Sequence, residues 1–314
     1  MIKQVKELIN KYDKITIVTH LNPDADTIGT ALGIYILLKN SGKQVEVVNH
    51  GINLPINLDF LPYFSKIKNR INYDNSLIIS CDTGSIERLG FDLNERIIIN
   101  IDHHKSNTNF GLLNIVKSDY VSASHVAYEL FKDEYTITKE VATCFYTALV
   151  YDTQYFTTSN VSREVFDTAS AMISYGIDID SVVKNLNQRR SLASIRILSS
   201  TLNSLELDES GDLAIMVATR DNMLEAGAEL LDTVGIVEYG ISLVTVKISI
   251  ILVELDGFIK VSMRSKGIDV SKVAISFGGG GHYNASGFEV SRVTIEELKQ
   301  SIKQEIKKRG LLNA

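Results

Sequence analysis

One pairing recurs in the first half of the sequence: a short, apolar, β-branched run followed by Asp or His. Ile15-Thr16-Ile17-Val18 leads into His20 and Asp24, Leu77-Ile78-Ile79-Ser80-Cys81 into Asp82, and Ile97-Ile98-Ile99-Asn100-Ile101 into Asp102, His103 and His104. Residues 44–48 form one more such run. These runs are too short for helices and too apolar for strands with one wet face, so they read as inner strands of a parallel sheet covered on both faces. Ligands of open parallel sheets bind beyond the carboxyl ends of the strands. The pattern therefore sends residues distant in sequence to one edge. Ala148-Leu149-Val150-Tyr151, which precedes Asp152, is expected to deliver its carboxylate at a strand end in the same way.

Residues 27–40 place Ile28, Ala31, Leu32, Tyr35 and Ile36 at helical spacing. The fold expected is α/β: a parallel-sheet domain over residues 1–185, a polar helical linker over 186–207, and a smaller α/β domain over 208–314. In the second domain, 213–218, 243–255 and 258–263 read as strands and 298–308 as a closing helix. Asp256-Gly257 is a type I′ hairpin signal, and 276–282 reads as a loop. A length of 314 residues accommodates two cores.

Hydrophobic residues at 45% and charged residues at 22% are ordinary for a globular protein. No apolar run reaches the roughly 18 residues of a membrane span, and the start, MIKQVKELIN, lacks the layout of a signal peptide. The expectation is a cytoplasmic protein without a membrane partner. Cys81 and Cys144 sit in apolar stretches without a CxxC partner and read as buried reduced thiols. A net charge of −6 argues against gripping long duplex nucleic acid, which calls for a broad basic face. It leaves room for a short anion in a local basic pocket.

The chemistry concentrates in a few segments. His20-Leu21-Asn22-Pro23-Asp24-Ala25-Asp26 puts one imidazole and two carboxylates in a turn opening a helix. Helix capping accounts for one of these Asp residues, not for two and a His. His50 and His125 lack such company and read as ordinary histidines. Clustered carboxylates repel, and divalent cations relieve that repulsion through mixed O and N ligands. The donors outnumber the needs of one ion, so two metals about 3.5–4 Å apart, sharing a carboxylate, are expected. Imidazoles favour Mn²⁺ over Mg²⁺, with Zn²⁺ left open.

Taken together, His20-x3-Asp24-x-Asp26, Asp82, Asp102-His103-His104 and Asp152 resemble the four sequential motifs of the DHH phosphoesterase superfamily. The resemblance implies that His20, Asp24 and Asp82 hold one metal and that Asp26, Asp82, His103 and Asp152 hold the other, with Asp82 shared. It implies that His104 faces the substrate phosphate as donor or general acid and that Asp102 orients an imidazole or a metal-bound water.

Downstream, Arg264-Ser265-Lys266-Gly267 ends a strand, and Gly278-Gly279-Gly280-Gly281-His282-Tyr283 follows. Glycines let backbone N–H groups approach an anion. Arg264 can clamp a phosphate, Lys266 adds a point charge, and Tyr283 offers a face to a base. This segment is similar to the small C-terminal domain of many DHH proteins. With the chain length, it resembles the bifunctional oligoribonuclease and pAp phosphatase branch. That implies an active site in the interdomain cleft, short RNA oligonucleotides and 3′-phosphoadenosine 5′-phosphate (pAp) as substrates, and Arg264, Lys266, Gly278, Gly279, Gly280, Gly281 and His282 as substrate-binding residues. A homodimer is left open. Tyr151, Gln154 and Tyr155 depart from the branch pattern around Asp152, as does Ala25 between Asp24 and Asp26. Linear dinucleotides, short polyphosphate, and metal-dependent nucleotide sensing without turnover are the competing readings.

Overall fold

A computed structural model describes residues 2–51 and 54–312. The chain divides into two compact units, Met1–Arg189 and Arg190–Ala314. The first runs α1 (Ile2–Lys11), β1 (Lys14–Val18), α2 (Ala25–Asn40), β2 (Gln44–Val48), β3 (Ile67–Lys68), β4 (Leu77–Cys81), β5 (Ile98–Asp102), β6 (Leu113–Val116), α3 (Ala123–Phe131), α4 (Lys139–Asp152), α5 (Arg163–Ile173) and α6 (Ile179–Asn187). Its sheet has the order β3-β2-β1-β4-β5-β6, with every neighbouring pair parallel. Strands β4 and β5 are buried at every residue, as their largely apolar sequences require, and the buried Ser80 hydroxyl donates to Asn100 Oδ1 on the neighbouring strand at 3.0 Å.

The larger core gathers apolar side chains of α1–α6 with Ile15, Ile17, Val47, Ile79 and Ile101. The covering of the sheet differs from an all-helical one. Val18, Val48, Ile78 and Ile98 pack in a separate cluster against Ile71, Ile86, Leu89, Phe91 and Leu93, which lie in loops and short 3₁₀ turns. Cys81 and Cys144 are buried free thiols. Among the described residues, no helix is long and apolar enough to cross a membrane.

Helix α2 is buried from Ala25 to Leu38, so it is a central element rather than an amphipathic surface helix. It packs on α4 through two glycines. A Cβ on Gly29 would lie 2.5 Å from the Cys144 carbonyl oxygen, and one on Gly33 would lie 2.3 Å from the Phe145 ring. This seam sets the spacing of two site residues, because α2 opens beside Asp24 and Asp26 while α4 closes on Asp152. Asp152 thus sits at a helix C-terminus and not at a strand end. The run before it is long enough to continue a helix that begins at Lys139, capped by Thr138.

The second unit runs α7 (Leu192–Asn203), β7 (Glu206–Leu207), β8 (Leu213–Ala218), α8 (Arg220–Ala226), α9 (Val237–Ile241), β9 (Ile248–Leu255), β10 (Phe258–Ser265), α10 (Ser271–Ser276), β11 (Gly280–His282), β12 (Ala285–Ser291) and α11 (Ile295–Lys308). Helix α7 lies in the stretch expected as linker and packs in this unit, with Ile197 buried beside Met216 and Ile251. The sheet order is β11-β12-β10-β9-β8-β7, with β8–β9 parallel and the other pairs antiparallel.

Three local expectations are corrected. Strand β9 starts at Ile248 rather than at residue 243, because the chain leaving α9 is still turning, with Val246 N–H donating to the Leu243 carbonyl. The 256–257 hairpin is not type I′: Gly257 has φ +86° whereas Asp256 is not among the positive-φ residues, a sign pattern of type II. The glycine segment is only partly a loop, since Gly280–His282 forms edge strand β11 on β12.

The glycine seam yields a stability prediction. Gly33→Ala improves helix propensity by roughly 1 kcal/mol, yet it drives a methyl into the Phe145 ring. Overpacking of this kind costs about 1–3 kcal/mol. Urea denaturation is expected to show a net loss of stability; a more stable variant would mean that α2 and α4 can separate freely.

Candidate metal centre

The carboxyl ends of β1, β4 and β5 place His20, Asp82, His103 and His104 on one edge, and the two helix ends bring Asp24, Asp26 and Asp152 to the same place. His20 Nε2 lies 3.9 Å from Asp24 Oδ1 and 3.5 Å from Asp82 Oδ2. His103 Nε2 lies 3.8 Å from Asp26 Oδ2, 3.4 Å from Asp82 Oδ1 and 3.4 Å from Asp152 Oδ2. Two ligand groups result, His20–Asp24–Asp82 and Asp26–His103–Asp152, each with donor atoms within 4.8 Å of one another. A third set, Asp82–His103–His104, meets the same criterion.

The backbone aims these groups. Asp82 has φ +56°, a left-handed conformation that Asp tolerates better than most residues. Its N–H is anchored on the Ile101 carbonyl at 2.9 Å. The carboxylate then spans the two imidazoles, one oxygen toward each. Asp24 caps α2, its Oδ1 accepting from the Asp26 and Thr27 N–H groups at 3.0 and 3.1 Å. Capping and membership of the cluster coexist in this residue.

The imidazoles are held by their far nitrogens. His20 Nδ1 meets the Leu21 carbonyl at 2.7 Å, and His103 Nδ1 meets the Tyr120 carbonyl at 3.4 Å. With Nδ1 so engaged, each Nε2 is the nitrogen that faces the carboxylates, and it takes the usual posture of a metal-bound His once a cation displaces its proton. His104 differs in that its Nδ1 lies 3.5 Å from Asp82 Oδ1 and is committed elsewhere. Its Nδ1 donates to Asp102 Oδ1 at 2.7 Å, and Asn107 Nδ2 donates to Asp102 Oδ2. Asp102 is fully buried, belongs to none of the three ligand groups and meets the cluster through His104.

The electrostatics call for positive charge. Burial, reinforced by Asp82, raises the pKa of Asp24 and of Asp26, the latter also through Asp152. Burial pushes Asp152 up to about 7, only partly offset by His103. Burial also opposes ionisation of Asp82, but the imidazoles of His103 and His20 prevail and hold it well below the usual range. Burial works against protonating His103, yet Asp82, Asp152 and Asp26 raise it well above normal. Asp102 follows the same logic: hydrogen bonds from His104 and Asn107 outweigh its burial and lower its pKa. Asp82 Oδ1 is buried and faces His103 Nε2 at 3.4 Å and His104 Nδ1 at 3.5 Å, yet it completes no hydrogen bond among the described residues. Such an orphan is costly unless something else satisfies it. A mixed N and O donor set, a carboxylate between two imidazoles and this orphaned oxygen fit a divalent cation.

Several contributors carry no signal in the sequence. Asn49 Nδ2 donates to the His20 carbonyl at 2.8 Å, and the Ala123 and Ser124 N–H groups bind Asp26. Asn107 lies five residues after Asp102, but nothing in its spacing separates it from an ordinary loop residue.

In the C-terminal unit, Arg264 Nε pairs with Glu238 Oε1 at 2.7 Å, and Lys266 Nζ donates to the Leu243 carbonyl at 2.6 Å. Both cations are held rather than loose. The Gly278 and Gly279 N–H groups are used on the Ile275 and Ala274 carbonyls at the end of α10. They are therefore not donors to an anion, contrary to the expectation for those two amides. Gly281, at φ +140°, would put a Cβ 2.5 Å from the Ala285 carbonyl oxygen, so close strand pairing requires it. Gly280 has neither a positive φ nor a neighbour within 4 Å of a Cβ. His282 is exposed on the edge strand.

The charge balance sets two expectations. His103 and Asp152 have raised pKa values, so near neutrality they hold protons that a cation must displace. Divalent affinity is expected to rise between about pH 6 and about pH 8, with proton release that shrinks over that range. Calorimetry in buffers of different ionisation enthalpy checks this, and an affinity flat with pH would contradict it. Asp152→Asn removes one repelling charge. The metal-free protein is expected to melt no lower than wild type at about pH 8, while the divalent-induced rise in Tm is lost.

Residues 14–149 match the DHH family, N-terminal domain, and residues 214–308 match the DHHA1 domain. The bifunctional oligoribonuclease and PAP phosphatase NrnA of Thermus thermophilus is 28% identical over 95% of this chain and 92% of its own length. The enzyme of the same name from Bacillus subtilis is 25% identical over 90% of this chain and 91% of its own. Among solved structures, an exopolyphosphatase-related protein from Bacteroides fragilis superposes with a TM-score of 0.87 at 27% identity, covering 98% of this chain and 96% of that one. With a DHH domain followed by a DHHA1 domain, each found where the motifs and the fold place it, the chain belongs to the DHH family.

Proposed function

We propose that the chain is a phosphoester hydrolase that uses two divalent cations, Mn²⁺ in preference to Mg²⁺, to degrade short oligoribonucleotides to mononucleotides and to convert pAp to AMP. The observation that carries this reading is the buried Asp82 carboxylate between His20 and His103, with its orphaned Oδ1. Full-length similarity to relatives named oligoribonuclease and PAP phosphatase supports the substrate class.

His20, Asp24 and Asp82 would hold one cation, and Asp26, Asp82, His103 and Asp152 the other. When bound, such ions activate water and offset charge on the phosphate oxygens. The remaining work falls to side chains. His104, its Nδ1 committed to Asp102, turns Nε2 to the phosphate and donates a hydrogen bond or proton as the leaving oxygen gains charge. Asp102 fixes that tautomer and the orientation of the ring. Arg264, oriented by Glu238, and Lys266 bind a further phosphate, with His282 and the Gly280 and Gly281 backbone beside them. A few anchored cations suit a substrate with few phosphates and are compatible with a net charge of −6.

The direct test is hydrolysis of a 5′-labelled RNA ladder from about 2 to about 24 nucleotides, with pAp, the linear dinucleotide pApA and short polyphosphate in parallel. Mn²⁺ is supplied and then chelated. Metal-dependent turnover of the shortest RNAs and of pAp is expected; turnover of polyphosphate alone would sink the reading. His104→Gln is expected to lower kcat by about 10²–10⁴ with metal affinity retained. Arg264→Ala is expected chiefly to raise KM, and a fall in kcat at constant KM would refute its binding role.

A further inference from the structure

Asp26 and His103 belong to one ligand group, and a single short segment aims both. The Ala123 N–H donates to Asp26 Oδ2 at 2.7 Å and the Ser124 N–H to Oδ1 at 3.1 Å, from the first turn of α3. Just upstream, the Tyr120 carbonyl holds His103 Nδ1. His20 and Asp24 are fixed by other means, through the Leu21 carbonyl and the first turn of α2.

The segment is itself pinned by a residue that the chemistry above does not use. His125 is 2% exposed, and its ring stacks on Tyr120 with centroids 4.1 Å apart and planes at 22°. Its Nε2 meets Thr168 Oγ1 on α5 at 3.3 Å. Tyr120 also borders a cavity of about 400 Å³ lined with Ile115, Lys117, Val126 and Glu129. The tyrosine therefore has room to swing if the His125 face is lost. Burial holds the His125 pKa down to about 4, so the stacked ring is neutral near physiological pH. Its Nδ1 is buried without a hydrogen-bond partner among the described residues. A purely structural filler would do as well with an apolar aromatic ring, so Phe is a fair stand-in for the face alone.

We propose that His125 is a positioning residue for one half of the metal centre, acting through Tyr120 on the Asp26–His103–Asp152 group while leaving His20–Asp24–Asp82 unaffected. This rests on the two-cation reading.

The test is a Mn²⁺ titration of the metal-free full-length protein, by calorimetry with free Mn²⁺ counted by electron paramagnetic resonance. Wild type, His125→Leu, His125→Phe, Thr168→Val and the core control Val182→Ala are compared. Wild type is expected to bind two equivalents. In His125→Leu one equivalent weakens about 10–100-fold, the range typical of lost outer contacts to a ligand, and the other stays within about twofold. His125→Phe restores the weakened equivalent, Thr168→Val shifts the same one by less, and Val182→Ala lowers the melting temperature without separating the two. Equal weakening of both equivalents, no weakening, or a folded Phe variant that fails to rescue overturns the assignment. If His125→Leu does not fold, Thr168→Val decides by the same criterion. A wild type that binds a single equivalent defeats the two-cation reading, and the proposal with it; two equivalents with a uniform loss in the variants defeats the proposal alone.

Discussion

The structure of the N-terminal domain is organised around a repulsion. Asp24, Asp26, Asp82 and Asp152 converge at one sheet edge, Asp26 and Asp82 buried and Asp24 and Asp152 half-buried, with grouped donor atoms within 4.8 Å of one another. At such a spacing two like charges repel by roughly 3–4 kcal/mol at an effective dielectric near 20. A domain of marginal stability cannot hold several such pairs without compensation. Part of it comes from protons: His103 and Asp152 are raised and Asp82 is lowered, so the cluster shares positive charge. Protons cannot satisfy the orphaned Asp82 oxygen and every neighbouring carboxylate at once, and cations bound by mixed O and N donors can.

The remainder of the domain keeps that cluster from relaxing. The parallel sheet delivers His20, Asp82 and Asp102–His104 from three adjacent strands, so their separations are fixed by backbone hydrogen bonding. Gly29 and Gly33 let α4 approach α2, which locks Asp152 against Asp26. Asp152 closes a helix whose last carbonyls carry partial negative charge, a poor place for an anion and a good one for an anion–cation pair. Asp26 is compensated in the opposite way, by the N–H groups that begin α3.

Much of this was legible in the sequence. Short β-branched runs are unambiguous when both faces are buried, so β1, β2, β4 and β5 were readable within one or two residues, as was the hydrophobic periodicity of α2. The strand-end Asp and His residues were readable because several unrelated segments repeated the same grammar. Asp152 was readable as a member of the Asp and His cluster but not as a helix end, since a four-residue apolar run does not distinguish strand from helix. The 256–257 turn type depended on the φ of a single Asp, which Asp-Gly favours without dictating. The glycine segment was misjudged where tertiary pairing decided its form: Gly280–His282 becomes a strand only because β12 is there to receive it. The contacts of Tyr120, Ala123, Ser124 and His125 left no trace, because they act through main-chain groups or through packing at long separation in the chain.

The central claim is that the converging side chains form a cage for two cations. The most direct measurement is an anomalous difference map from a crystal of the protein soaked in Mn²⁺, collected above and below the manganese edge. The account predicts two peaks, one among His20, Asp24 and Asp82 and one among Asp26, His103 and Asp152, with Asp82 contacting both. A map with no peak at this edge of the sheet, or with manganese bound elsewhere in the chain, would contradict it.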